Sequence, residues 1–157
     1  MVQELEARVT ELNVNERTLT RLVRALTAEQ LDQHDPVSGY SPRQALAHLV
    51  GGTRSMTVMG KNWIKGENTK LRADFDLNLF NQRQQEKRAQ LSLDALLEEW
   101  HAAHRDVIAF LETITADDLE KRGDHPAQEA MTLRELMRVI SYHEAMHIVF
   151  VLAATQE

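Results

Sequence analysis

Apolar residues recur every three to four positions along four long stretches. Leu5, Val9, Leu12, Leu19, Leu22, Val23 and Leu26 mark the first, from about Val2 to Leu26. Ala45, Leu46, Leu49, Met56, Met59 and Ile64 mark the second, which opens at Ser41 and runs to about Lys65. Leu93, Leu96, Leu97, Trp100, Val107, Ile108, Leu111 and Ile114 mark the third. Leu133, Leu136, Met137, Ile140, Ile148 and Val151 mark the last, from about Leu133 to Ala154. That period belongs to amphipathic helices. Alternating runs of Val, Ile and Thr are absent, so no strand is expected. The expected fold class is all-α, a helix bundle in a single domain over residues 1–157.

The punctuation agrees. Thr27-Ala28-Glu29-Gln30, Ser41-Pro42-Arg43-Gln44 and Thr132-Leu133-Arg134-Glu135 each read as a capping box. Ser92 is placed to cap the third long helix, and Gly66 to close the second. Residues 34–40 and 123–126 are loops broken by Pro and Gly. Short helical turns are expected after Thr27 and near Asp117-Asp118, and a polar, Asn- and Gln-rich helix after Asp76. The connections between long helices one and two, and between three and four, are long enough to cross the bundle. Gly51-Gly52 interrupts the second helix, at about 1 kcal/mol per Gly relative to Ala. Close helix packing explains such a pair, and so does clearance for a ligand.

Candidate chemistry concentrates in the last helix. Residues 136, 140, 143, 147 and 151 share one stripe, which turns His143 and His147 toward the core at a spacing that lets two imidazoles hold one ion. Two satisfied core histidines are the plainer reading. His48 lies on the inward face of the second helix, between Ala45 and Gly52. Three imidazoles suit a divalent ion and leave a position open for water or substrate. Ligand type does not choose among Zn²⁺, Ni²⁺, Co²⁺ and Fe²⁺. His143-Glu144-Ala145-Met146-His147 also matches H-E-x-x-H, in which the Glu of a zinc protease is the general base. A protease is not expected, because such enzymes take a third ligand from downstream and little chain follows His147. Glu144 is an acid/base candidate, a residue supporting the ligands, or a solvent-facing carboxylate. His101 and His104 form a rival pair beside Trp100. Glu16 falls on the stripe of Leu12 and Leu19, as an edge carboxylate or an internal acid. His34 reads as a solvated loop residue.

Composition narrows the function. A net charge of −6 with interspersed signs argues against a nucleic-acid or anionic-membrane partner. There is no cysteine, which excludes disulfides, thiolate ligands and a Cys nucleophile. No apolar run approaches the ~18 residues of a membrane span. The N-terminus lacks the parts of a signal peptide, so a cytoplasmic location is expected.

Ser41-Pro42-Arg43-Gln44-Ala45-Leu46-Ala47-His48-Leu49 resembles the start of the second helix of the DinB-like superfamily, whose members carry an early-helix His. Thr132 through His147 resembles that superfamily's last helix, with its H-x-x-x-H pair. The resemblance covers nearly the whole chain. It implies a four-helix bundle of up-up-down-down topology with short extra helices in its long connections. It implies one divalent metal, usually zinc or nickel, on His48, His143 and His147, and a homodimer. The implied activity is metal-dependent chemistry on a small electrophilic molecule, either transfer of a low-molecular-weight thiol or hydrolysis by water. The alternative is a non-catalytic, stress- or damage-induced metal-binding bundle. No basic cluster clearly marks a thiol-cofactor site; Arg43, Arg54 and Arg138 are candidates by proximity in the helix pattern alone.

Overall fold

A computed structural model describes residues 1–154. Its four long helices are α1 (Gln3–Ala25), α3 (Pro42–Lys65), α5 (Leu93–Thr113) and α6 (Leu133–Ala154). The short α2 (Ala28–Asp32) and the twelve-residue α4 (Leu77–Arg88) lie in the connections. The caps explain these boundaries. Thr27 and Gln30 bond reciprocally at the start of α2, as do Ser41 and Gln44 at α3 and Thr132 and Glu135 at α6. Ser92 Oγ accepts from the Ala95 N–H, and Gly66 ends α3 in the left-handed region at φ 72°. One expectation fails at small scale. Arg122–Gly123 and Met131–Thr132 pair as a two-residue antiparallel ladder, too short for any period-2 pattern to announce it.

Side-chain pairs fix the helix directions. Glu4 pairs with Arg134 and Asn15 with Glu144, so α1 and α6 are parallel. Arg24 pairs with Asp94 and Glu16 with His101, so α1 and α5 are antiparallel. Thr53 meets Glu144 and Gly60 abuts Leu133, which makes α3 antiparallel to α6. Arg54 meets Glu99 and Gly60 abuts Phe110, which makes α3 parallel to α5. In chain order the long helices therefore run up, down, down, up, not up-up-down-down. The physical reason is the middle connection. Residues 66–92, carrying α4, return the chain along the whole bundle between two parallel helices. Residues 26–41 and 114–132 stay at one end each and join helices that sit diagonally.

The core has two halves. Leu5, Leu12, Met56, Trp63, Val107 and Ile140 belong to one, and Leu19, Val23, Leu46, Leu49, Trp100, Ile148 and Val151 to the other. Between them, at mid-height on the four long helices, lie the buried polar residues Asn15, Thr53, His104 and Glu144. By length and composition alone Leu133–Ala153 passes for a membrane span, yet 44% of that window is buried against the other helices. Its outer face exposes Tyr142, Met146 and Val149.

Candidate metal centre

His48 enters from the second turn of α3, which the Ser41 cap and Pro42 start at a fixed point. His143 and His147 come from successive turns of α6. Their ring nitrogens meet in one cluster in which one ligand atom from each residue lies within 4.8 Å of the others. His48 Nε2 and His143 Nε2 are 3.0 Å apart. The ring centroids of His48 and His147 are 4.7 Å apart, and those of His143 and His147 4.8 Å. Gly52 makes the approach possible, because a Cβ there would sit 3.2 Å from His143 Cε1. Gly51 serves a different neighbour. A Cβ on it would meet the Gln84 side chain of α4 at 2.9 Å. Both glycines thus serve close packing between helices, Gly52 against α6 and Gly51 against α4.

Burial, and then the adjacent His147, push the His48 pKa down to about 4. Burial, and then His48, His147 and His125, push that of His143 down to about 3. Burial lowers His147 as well. All three rings are therefore neutral at pH 7, the form that donates a lone pair to a metal. His147 is buried, while His48 and His143 keep part of their surface, so the cluster is not sealed.

The donor set fits a divalent ion on two further grounds. Two tetrahedral ligands at ~2.0–2.1 Å from one ion stand roughly 3.4 Å apart, close to the His48–His143 separation. The Nδ1 atoms of His143 and His147 are buried without a hydrogen-bond partner. The facing Nε2 atoms of His48 and His143 are within hydrogen-bond distance of each other, so the unpaired atoms are the two Nδ1 nitrogens, and buried unpaired nitrogens are costly unless something binds them.

Glu144 points elsewhere. It is completely buried, which excludes the solvent-facing reading. Its carboxylate accepts from Thr53 Oγ1 at 2.8 Å and Asn15 Nδ2 at 3.2 Å, and faces His104 Nε2 at 3.3 Å. His104 Nδ1 donates to the Trp100 carbonyl at 3.1 Å. Both ring nitrogens of His104 face acceptors, an arrangement that favours its charged form. Burial opposes that charge, but the bond to Glu144, its charge, the Trp100 carbonyl and Glu16 outweigh burial and raise the pKa. The rival pair therefore does not converge. His104 serves this knot, while His101 Nδ1 meets Glu16 Oε1 at 2.8 Å on the α1–α5 surface. The apolar stripe of α1 passes through Asn15, which is buried, rather than Glu16. His34 is exposed as expected, with Nδ1 on the Gly39 carbonyl.

Residues 11–150 match the model of the DinB superfamily. The chain belongs to that superfamily. This member is similar in fold to YfiT from Bacillus subtilis, described as a probable metal-dependent hydrolase with an unusual four-helix bundle topology. The TM-score is 0.83 at 21% identity, over 99% of this chain and 89% of that one. It is also similar to the mycothiol-dependent maleylpyruvate isomerase, at TM-score 0.77 and 14% identity, covering 94% of this chain and 60% of that one. A mutant of that isomerase superposes equally well. No curated protein sequence matches the chain.

Two residues at the cluster escaped sequence reading. Tyr40, which precedes the Ser41 cap, stacks on His48 with centroids 5.2 Å apart and planes at 28°. His125 is buried in the loop before α6, near enough for its charge to act on His143. Both lie in loops that Pro and Gly punctuate. An aromatic beside a helix cap and a histidine before a proline were the available signals.

Proposed function

We propose that this DinB-superfamily chain is a divalent-metal-dependent enzyme that acts on a small electrophilic molecule, with His48, His143 and His147 holding the ion. One observation carries the reading: three neutral imidazoles from two helices converge at a partly open cluster. Zinc or nickel is the ion proposed. Bound there, it would supply Lewis acidity to a water, a thiol or a substrate oxygen at its open position. The chain itself holds the ligands neutral by burial and fixes α6 against α3. Glu144 is proposed to support the ligands rather than to move a proton at the reacting centre, since Thr53, Asn15 and His104 already engage its oxygens.

The nucleophile must come from outside, because the chain has no cysteine. Hydrolysis is the favoured route. Arg43 is engaged by Asp32, and Arg54 by Glu99, so two of the three arginines suited to an anionic thiol are committed elsewhere. Thiol transfer is the second reading, favoured by the similarity in fold to a mycothiol-dependent enzyme. A cytoplasmic setting and a homodimer belong to the same proposal, the dimer supported by the apolar outer stripe of α6.

The test is turnover by zinc- and nickel-loaded protein on panels of activated esters, amides and halogenated aromatics. Each panel is run with water alone and with mycothiol, bacillithiol or glutathione. Activity that requires metal and is lost on replacing the three histidines supports the enzyme. Metal binding without turnover in any panel favours the non-catalytic binder. Thiol consumption above the no-enzyme rate would move the reading from hydrolysis to transfer.

A further inference from the structure

Tyr40 is fixed unusually well for a loop residue. The Asp35 N–H donates to its carbonyl at 3.0 Å, its own N–H donates to Ser38 Oγ at 3.3 Å, and Ser41 beside it caps α3. The Asp35 carboxylate accepts from the Ser38 N–H, which closes the loop on itself. The ring is half-buried and lies against two of the three histidines. It stacks on His48, and its centroid is 6.0 Å from that of His147. The Phe150 ring also meets His147, edge-on at 6.0 Å. The histidine cluster is thus bordered by aromatic rings from two elements. Ion pairs involving Arg43 and Arg54 lie on other faces of α3, toward α2 and α5.

We propose that Tyr40 is a specificity-determining residue whose half-exposed ring, with one face stacked on His48 and held beside His147, selects substrates carrying a planar aromatic or conjugated group next to the reacting centre. This deepens the metal-enzyme reading and rests on it. Offset or edge-on ring pairs favour flat π-faced partners over aliphatic ones of the same head group, by roughly 2- to 10-fold. The phenol remains neutral, because burial raises its pKa. The border therefore presents no anion to repel an electron-rich head group on the ion.

The test compares benzohydroxamate with acetohydroxamate, which share a metal-chelating head and differ by the ring. Binding to zinc-loaded full-length protein is measured by calorimetry, and to cobalt-loaded protein by its visible spectrum. Wild type and Tyr40→Phe should prefer benzohydroxamate by about 2- to 10-fold. Tyr40→Leu, which keeps apolar bulk without a ring face, should lose that preference when both hydroxamates are compared on the metal-loaded variant. Preference retained in Tyr40→Leu, or lost equally in Tyr40→Phe, overturns the proposal and leaves the metal site standing. Failure of wild type to take up zinc or cobalt overturns both.

Discussion

His143 and Glu144 are consecutive on α6 and grip the same partner helix through different chemistry. The His143 ring faces His48 across 3.0 Å, and the Glu144 carboxylate accepts from Thr53, both on α3, at 2.8 Å. Consecutive helical residues diverge by about 100°. One side chain therefore reaches the partly open cluster while the next reaches the buried centre. The literal H-E-x-x-H string thus describes two layers, and its Glu helps to fix the rotation of α6 that aims the histidines.

Removing that carboxylate leaves His104 Nε2 buried without the partner that favours its charged form. Glu144→Ala should cost about 3–5 kcal/mol of unfolding free energy, as loss of one partner of a buried ion pair does. Glu144→Gln, which keeps an acceptor for Thr53, should cost about 1–3 kcal/mol. The double replacement of Glu144 and His104 by Leu should cost less than the sum of the single changes. Urea denaturation checks all three. A Glu144→Ala protein within ~0.5 kcal/mol of wild type would remove the knot from the account.

The two glycines separate packing from ligand placement. Gly52→Ala puts a methyl 3.2 Å from His143 Cε1 and should weaken metal affinity. The expected loss is roughly tenfold, the low end for disturbing a ligand's surroundings. Gly51→Ala meets Gln84 on α4 and should leave metal affinity unchanged. Zinc titration against a competing chelator distinguishes them, and equal effects would contradict the assignment.

The pH dependence of the metal-free protein has a definite sign. His48 and His143 titrate at about 4 and about 3 when folded, below the ~6.5 of an unfolded histidine. The unfolded chain therefore binds protons first. Stability is fully present above about pH 6.5 and falls as pH drops toward those folded values, by up to ~1.4 kcal/mol per pH unit for each histidine. His104 acts oppositely. Its raised pKa adds stability that is full below the unfolded value and lost as pH rises through the folded one. Denaturation from pH 7 to 4 should show a falling limb that shrinks in the His48→Ala, His143→Ala double variant. An unchanged limb would contradict burial of neutral rings.

The exposed stripe Tyr142, Met146 and Val149 is the proposed cover for a second copy of the chain. A two-fold interface would set this stripe against itself. Val149→Glu should convert dimer to monomer in light scattering after size exclusion, with metal affinity retained. A wild-type monomer at micromolar concentration would contradict the homodimer.

Much of this was legible in the chain. The 3.6-residue period, three capping boxes and the Ser92 cap mark the helices, and His48, His143 and His147 stand on inward stripes. Helix direction was not legible, because periodicity reveals a helix and its buried face but not which end of the bundle it starts from. The packing against α4 that explains Gly51 arises only once residues 66–92 run back along α3. The polar knot was hidden because Asn15 and Thr53 are unremarkable alone. Their meaning comes from meeting Glu144 and His104 at the same height. Tyr40 was hidden by its loop, since the ring reaches His48 through a turn that only tertiary contacts define.

His48, His143 and His147 are proposed to hold one divalent ion together. The most direct measurement is zinc and nickel stoichiometry and affinity of the full chain, beside His48→Ala, His143→Ala and His147→Ala and the triple variant. Wild type should bind one ion per chain, each single variant should bind more weakly, and the triple variant should bind none. Wild type and triple variant binding either metal equally weakly would contradict that proposal.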